Sequence, residues 1–284
     1  MYLDVDAVLR AVSEGEPGVE LIKRVGEALG EVEQLTSRLG QMRRDEIESL
    51  LASGMSQNEI GRRVGLTSAR ISQLRKSGTP PAERAFFGST STVIAAVAEK
   101  LEAGKTAPGP VVSVDDVQAY ERLRDLVVGL GLDATYETVK PPGEVWLNRD
   151  GLVVICGPRH SALIRQVLEA DRVLVFEHDR RGWYLTDRST MRVYRSPEDD
   201  GEPGDVAYLG RLPRPDGQGT FVYIAGIHAA GSAGVVHWLG RELPALYRDV
   251  KTRRFSTLIR CEYSPTTREV VSSERITPIY RHEG

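Results

Sequence analysis

Two glycine-containing segments carry polar side chains suited to binding an anion. The first runs from Gly157 to Ser161 and the second from His228 to Gly234. Each follows an apolar run of strand length and precedes a helical pattern. Ligands of α/β proteins bind beyond the ends of strands, because glycine lets the backbone approach a ligand and helix N-termini present free N–H groups. The sequence therefore predicts that these two loops form a site for a phosphate or a carboxylate.

The predicted ligand site also takes residues from a neighbouring strand. Arg159 and Ser232 have the groups best suited to an anion, and Asp205, Tyr208 and Arg211 could line the same crevice. The predicted ligand-binding residues are Gly157, Pro158, Arg159, His160, Ser161, Arg211, Gly226, His228, Gly231 and Ser232. In the alternative interpretation the glycines only make tight strand-to-helix turns, which is a common structural role.

A cysteine and several histidines in the same region raise the question of catalysis. Cys156 together with His160 or His228 has the residue types of a thiol nucleophile and its base. Cys156 ends an apolar strand-like run, however, which is typical of an inert core thiol, and His237 lies on an amphipathic helical pattern. The sequence contains no Walker, GxGxxG, HExxH or paired-cysteine motif, so it predicts no cofactor and no metal site. We assign no catalytic residue, and whether this half is an enzyme stays open.

A second cluster of charged side chains lies between Met55 and Lys76. It holds five cations against the single acid Glu59, although the whole chain has a net charge of -3. Ser56 and Glu59 have the spacing of a capping box at a helix start, and Gly65 begins a tight turn before a second helical pattern. Two short helices joined in this way are typical of a helix-turn-helix, whose second helix enters the major groove. We therefore predict that this segment binds double-stranded DNA.

The predicted DNA-binding residues divide according to the part of DNA that they suit. Arg70 and Gln73 can pair with the edges of guanine and adenine, while Arg62, Arg63 and Lys76 suit phosphates. The full predicted set is Arg62, Arg63, Thr67, Ser68, Arg70, Gln73, Arg75 and Lys76. The alternative is a helical hairpin whose basic residues only face solvent.

The helices before this segment must support it. Apolar residues recur at spacings of three and four from Ile22 to Met42, and this pattern predicts an amphipathic helix. Its apolar side packs either on the helix-turn-helix or on the same helix of a second chain, and a homodimer is the expected assembly. A further helix is predicted from Arg44 to Ala52, before Gly54. Residues 1–80 are therefore predicted to form an all-α dimerisation and DNA-binding domain.

Residues 81–284 are predicted to form an α/β domain. Strand-like runs occur at 92–97, 152–156, 173–176, 220–227 and 256–261, and helical patterns occur at 114–130, 161–169 and 233–250. Strands that alternate with helices indicate a mostly parallel sheet. Hairpin-like stretches at 183–194 and 269–280 add antiparallel strands, so we expect a mixed-sheet, Rossmann-like domain.

Composition places the chain among globular proteins. Hydrophobic residues make up 40% and charged residues 27%, which is typical of a chain with a buried core. The two cysteines, Cys156 and Cys261, both lie in apolar runs, which favours a reducing compartment. No run reaches the roughly 18 to 20 apolar residues of a membrane span, and the first ten residues lack a signal-peptide pattern. A cytoplasmic protein with no membrane association is therefore expected.

A family resemblance is carried by the segment RDEIESLLASGMSQNEIGRRVGLTSARISQLRKSG, which resembles the sigma-factor-like helix-turn-helix of many actinobacterial regulators. The later segments ERAFFG, LVVICGPRHS, YLGRLPRPDG, YIAGIHAAGS and DVKTRRFSTLI are similar to the α/β half of the same proteins. The resemblance spans nearly the whole chain. It implies a DNA-binding regulator with an appended α/β domain, and it supplies neither a ligand nor a reaction.

Three hypotheses follow for the whole chain. In the first, it is a transcriptional regulator whose α/β domain senses a small effector that is anionic or nucleotide-like. In the second, it is a nucleotide- or nucleoside-processing enzyme that carries a helix-turn-helix. In the third, the second domain is a protein-interaction module.

Overall fold

The computed structural model describes Ser13 and residues 18–76 and 81–282. Residues divide into two compact units, with the division between Ala82 and Glu83. The spacing of Val5, Val8, Leu9 and Val12 predicts a further short helix, which lies outside the described residues, as does the segment 77–80. Each unit is described by itself below.

The first unit begins with one long helix, α1 (Val19–Ala52). The expectation of two helices, one from Val19 and another from Arg44 to Ala52, was wrong because the chain stays helical between them. No proline interrupts this stretch, and Arg43 and Arg44 are good helix formers. Gly40 is accommodated within the helix.

Two short helices follow, α2 (Gln57–Val64) and α3 (Ser68–Lys76). The Ser56 hydroxyl accepts the Glu59 backbone N–H at 3.2 Å, and Gly65 ends α2 in the left-handed region at φ 71°. The Thr67 hydroxyl accepts the Arg70 backbone N–H at 3.1 Å at the start of α3. These caps satisfy backbone groups that helix ends leave without partners.

A small apolar core holds the three helices together. It consists of Ile47 from α1, Ile60 from α2, and Ile71 and Leu74 from α3, all buried. Gly61 allows α2 to approach the turn before α3 closely, because a Cβ there would lie 2.5 Å from the Leu66 carbonyl oxygen. The α2–α3 pair is therefore fixed on the C-terminal end of α1.

The second unit has a mixed α/β fold. Its helices are α4 (Val114–Gly129), α5 (Ala162–Leu168) and α6 (Ala229–Val250), and 3₁₀ helices cover Ala82–Phe87 and Pro197–Asp200. Its strands are β1 (Thr92–Ala98), β2 (Lys100–Leu101), β3 (Pro110–Val111), β4 (Asp133–Val139), β5 (Leu152–Ile155), β6 (Leu174–Asp179), β7 (Gly182–Asp187), β8 (Arg192–Tyr194), β9 (Gly204–Pro213), β10 (Thr220–Gly226), β11 (Phe255–Tyr263), β12 (Val270–Arg275) and β13 (Tyr280–Arg281).

An eight-stranded mixed sheet forms the centre of this unit. Its order is β12-β11-β9-β10-β5-β1-β4, and β13 pairs with β11. The neighbours β4, β1, β5 and β10 are parallel, whereas β9 is antiparallel to both β10 and β11. The carboxyl ends of the parallel strands and the start of β9 consequently lie at the same edge of the sheet.

Both faces of the sheet are covered, which explains why β5 (Leu152–Ile155) is apolar at every position. On one face, α4 and α6 pack through side chains such as Leu123 and Leu239. On the other face lie α5, with Ile164, and the small antiparallel sheet β6–β7–β8, with Leu185. Among the described residues, no helix is both long and apolar enough to cross a membrane.

Candidate functional site

A shallow, open cleft with a cavity volume of about 20 Å³ lies at the carboxyl ends of β1, β5 and β10. Its lining comes from the segments that follow these three strands and from the first turns of α4 and α6. The lining residues are Ala98, Lys100, Asp116, Ile155, Cys156, Gly157, Arg159, His160, Gly226, His228, Ala229 and Ser232. The structure thus brings the two predicted loops, 157–161 and 228–234, to one place.

The topology of the sheet creates this cleft. The chain leaves β1 through α4 and returns in β4 on one side, whereas it leaves β5 through α5 on the opposite face of the sheet. Diverging connections from adjacent parallel strands open a crevice at the strand ends, where ligands of α/β proteins bind.

Two cations face the cleft. Lys100 lies two residues after the end of β1 and is half-buried, and Arg159 is exposed in the loop after β5. The Arg159 Nε–H donates to His160 Nε2 at 2.9 Å. Burial, together with the charges of Arg159 and Lys100, lowers the pKa of His160 to about 4. His160 is therefore neutral at physiological pH and acts as an acceptor for Arg159.

The buried carboxylate of Asp116 lies in the first turn of α4 and lines the same cleft. Burial raises its pKa to about 6, with Asp115 adding to the rise and the cations Lys100 and Arg159 opposing it. A titratable group with a strongly perturbed pKa in a cleft is typical of functional sites. The cleft therefore gains one negative charge as Asp116 ionises between about pH 5 and 7.

Asp205, at the start of β9, fixes the conformation of the loop after β10. Its carboxylate accepts backbone N–H groups from Val206 at 2.8 Å, His228 at 2.9 Å and Gly231 at 2.8 Å. The side chain is fully buried, and burial raises its pKa, while the hydrogen bond from Ser196, the charge of His228 and the N–H groups of Val206 and His228 lower it. Glycine is required at 226 because a Cβ there would lie 1.9 Å from the His228 carbonyl oxygen, and at 231 because a Cβ there would lie 2.5 Å from the Asp205 carboxylate.

The start of α6 lies closer to β10 than the sequence suggested. The helix begins at Ala229, four residues before the predicted Ala233, so Gly231 and Ser232 belong to its first turn. The Ser232 hydroxyl accepts the Gly226 N–H at 3.4 Å, and His228 pairs with Asp199 at 2.8 Å. The N-terminal end of a 22-residue helix therefore points its first turn toward the cleft.

Arg211, a predicted ligand-binding residue, lies away from the cleft. Because β9 runs antiparallel to its neighbours, Arg211 lies at the opposite edge of the sheet from Asp205. Its buried guanidinium donates to the Phe86 carbonyl oxygen and to Thr220, and burial lowers its pKa to about 10. Arg211 is therefore a structural residue, and its assignment to the ligand site was wrong.

Three further candidates also have structural roles. Ser161 is buried, donates to the Gly143 carbonyl oxygen at 2.5 Å and caps α5 by accepting the Ile164 N–H at 3.2 Å. Tyr208 is buried in the core, where it donates to Asp171 at 2.8 Å. Pro158 is buried within the loop after β5. None of the three lines the described cleft.

Cys156 lines the cleft but has the properties of a core thiol. It is buried, and burial together with Asp116 raises its pKa to about 12. The thiol is therefore protonated at physiological pH, which opposes a role as a nucleophile.

The predicted DNA-binding residues lie on α2, α3 and the turn between them. Arg62, Arg70 and Gln73 are exposed, and the Arg70 Nη1–H donates to Gln73 Oε1 at 3.2 Å. Arg63 pairs with Glu59 at 2.8 Å. Thr67 caps α3, and Ser68, its first residue, is half-buried. The side chain of Lys76 lies outside the described residues.

Arg75 has a partner that the sequence did not reveal. Its guanidinium donates to both carboxylate oxygens of Glu48 on α1, at 2.7 and 3.2 Å. This pair ties the end of α3 to α1. Arg75 is accordingly less available to a phosphate than Arg62 or Arg70.

Sequence reasoning missed Lys100 and Asp116 as parts of the site. Both follow β1, so the rule that ligands bind beyond strand ends applies to them as well. Two features of the sequence could have indicated them: the apolar run that ends at Ala98, just before Lys100, and the acidic pair Asp115 and Asp116 at the start of α4.

No protein-family model, curated protein or solved structure matches this chain, so no relative assigns a role to the cleft. The roles of Lys100, Asp116 and Arg159 consequently rest on the distances, burial and charges given above.

Proposed function

We propose that the chain is a DNA-binding transcriptional regulator whose α/β unit binds a small anionic effector. The observation that carries this proposal is the exposed face of α3, where Arg70 and Gln73 lie side by side on a helix fixed by Ile71 and Leu74. Arginine and glutamine are the side chains that pair with guanine and adenine edges in the major groove. Arg62, which is exposed on α2, is the proposed phosphate contact. Such regulators bind DNA as dimers, and we expect a homodimer here.

Electrophoretic mobility shift with DNA from upstream of the chain's own gene tests DNA binding. A bidentate base contact contributes about 1–3 kcal/mol, so Arg70→Ala is expected to weaken binding by roughly 5- to 150-fold. Arg180→Ala removes the same charge from an exposed loop of the second unit and serves as the matched control. Equal binding by the two variants, or no binding by the wild type, would contradict the proposal.

The effector site is the cleft at the strand ends. Lys100 and Arg159 supply the positive charge that favours a phosphate or carboxylate, because the His228 and Gly231 N–H groups at the start of α6 already donate to Asp205. The cavity volume of about 20 Å³ is far below that of drug-sized pockets and leaves room for little more than a water-sized group, so the proposed ligand places a single phosphate or carboxylate group at the open mouth of the cleft.

Isothermal titration of the full chain with mono-, di- and triphosphate nucleotides and with dicarboxylates tests this site. Loss of a charge-assisted hydrogen bond costs about 1.5–3 kcal/mol, so Arg159→Ala is expected to weaken binding by roughly 10- to 150-fold. Arg165→Ala, on the exposed face of α5, is the matched control. Protonation of Asp116 removes a negative charge, so the wild type is expected to bind sulfate, whose own charge is constant over this range, more tightly at pH 5.5 than at pH 7.5. Unchanged affinity in Arg159→Ala would remove the cleft as the effector site.

A nucleotide- or nucleoside-processing enzyme is the second candidate, and the pKa of Asp116 favours it. A carboxyl group whose pKa is about 6 can exchange protons near neutral pH, as a general acid or base must. Release of product from a nucleotide panel, abolished in Asp116→Asn, would favour the enzyme. Binding of the same nucleotide without turnover, accompanied by a change in DNA affinity, would favour the regulator.

A further inference from the structure

A stripe of large apolar side chains runs along α1 and lies open to solvent. Its members are Ile22, Val25, Leu29, Val32, Leu35, Leu39 and Met42, which are 38–73% exposed. At 1.5 Å per residue the stripe is about 30 Å long. A contiguous apolar surface of this length is unusual on a monomer and marks an interaction surface.

The order of the stripe is symmetric about its centre. Counted from Val32, apolar residues occur at three, seven and ten positions toward the N-terminus and at the same distances toward the C-terminus. Two antiparallel copies of α1 centred on Val32 therefore bring Ile22 against Met42, Val25 against Leu39 and Leu29 against Leu35. Each apolar residue of the stripe therefore lies opposite an apolar residue of the second helix.

The area of the stripe fits the same arrangement. Burying the exposed parts of fourteen such side chains removes roughly 700 Å² of apolar surface, taking about 100 Å² for a full side chain. That area is the apolar share expected of an interface of about 1,200 Å², which is the lower bound for a stable complex.

We propose that the α1 stripe is the dimer interface of this chain, formed by two antiparallel copies that cross at Val32. The inference specifies how the expected homodimer assembles and holds whether or not the chain binds DNA. The partner surface is supplied by the identical helix of a second copy, so the interface is closed and twofold.

Sedimentation equilibrium of the full chain over a concentration series tests the interface. The wild type is expected to be a dimer, and Leu29→Glu/Leu35→Glu, which places four carboxylates together in the antiparallel pair, is expected to be a monomer. These two positions are exposed, so helix content by circular dichroism should be unchanged. Lys23→Glu, off the stripe, is the charge control and should remain a dimer. A monomeric wild type, which includes the case of a stripe covered by residues 1–17, would overturn the proposal.

Disulfide trapping tests the orientation, because the natural cysteines 156 and 261 are buried. In the antiparallel pair the two copies of position 22 lie about 30 Å apart along the helix axis, well beyond the reach of a disulfide. Ile22→Cys alone should therefore stay uncross-linked, whereas Ile22→Cys mixed with Met42→Cys should give the mixed disulfide. Cross-linking of Ile22→Cys with itself would show a parallel pair and refute the antiparallel assignment.

Discussion

Replacing Asp116 with asparagine tests whether the cleft retains a carboxylate that destabilises the fold. Asp116 is 6% exposed, and its pKa of about 6 lies above the usual 3.8. Between these values the folded state binds more protons than the unfolded state, so the free energy of unfolding falls as pH rises through this window. Below about pH 4, Asp116 is protonated in both states and does not lower the free energy of unfolding. Above about pH 6 the full loss of stability is present.

The size of the effect follows from the pKa. One unit of pKa change corresponds to about 1.4 kcal/mol, so the raised pKa of Asp116 lowers the free energy of unfolding by about 1.5 kcal/mol at pH 5 and by up to about 3 kcal/mol at pH 7. Asparagine does not titrate. Asp116→Asn is therefore expected to be more stable than the wild type at pH 7, with the difference about halved at pH 5.

Urea unfolding followed by tryptophan fluorescence measures this difference. Trp146, Trp183 and Trp238 all belong to the second unit, so the signal reports on the fold that contains the cleft. Asp125→Asn, on the same helix with a side chain that is 73% exposed, is the control and should match the wild type. If the difference in the free energy of unfolding between wild type and Asp116→Asn is the same at pH 5 and pH 7, burial does not raise the pKa of Asp116.

Three further substitutions have definite expected outcomes. Gly61→Ala places a Cβ 2.5 Å from the Leu66 carbonyl oxygen and should lower the melting temperature of the first unit, measured as loss of helical circular dichroism; an unchanged melt would contradict the close approach. Ser161→Ala loses the α5 cap and the bond to Gly143, and should reduce the urea stability of the second unit by about 0.5–2 kcal/mol. Asp205→Asn replaces an acceptor of three backbone N–H groups with an amide that has one acceptor oxygen, so anion binding in titration should fall while DNA binding without effector is retained; full anion affinity would exclude Asp205 as the residue that shapes the loop.

Local features of the fold could be predicted from the sequence because neighbouring residues determine them. Ser56 and Thr67 cap helices since their hydroxyls reach backbone N–H groups three residues ahead, and Gly65 ends α2 because its φ of 71° suits glycine. The apolar runs ending near Ala98, Cys156 and Gly226 gave three strands of the sheet. The loops that follow two of them supplied Gly157, Arg159, His160, Gly226, His228 and Ser232, all of which line the cleft.

What remained required the tertiary structure, because a pattern shows which face a residue occupies but not which strand lies beside it. Arg211 was misplaced because only the antiparallel pairing of β9 carries it about 20 Å from Asp205 to the opposite edge of the sheet. The bond of Arg75 to Glu48 joins residues 27 positions apart, and Lys100 and Asp116 meet Arg159 only because β1 and β5 are neighbours. Sequence thus determined the caps, turns and strand ends, while the order and direction of the strands decided which charged groups share the cleft.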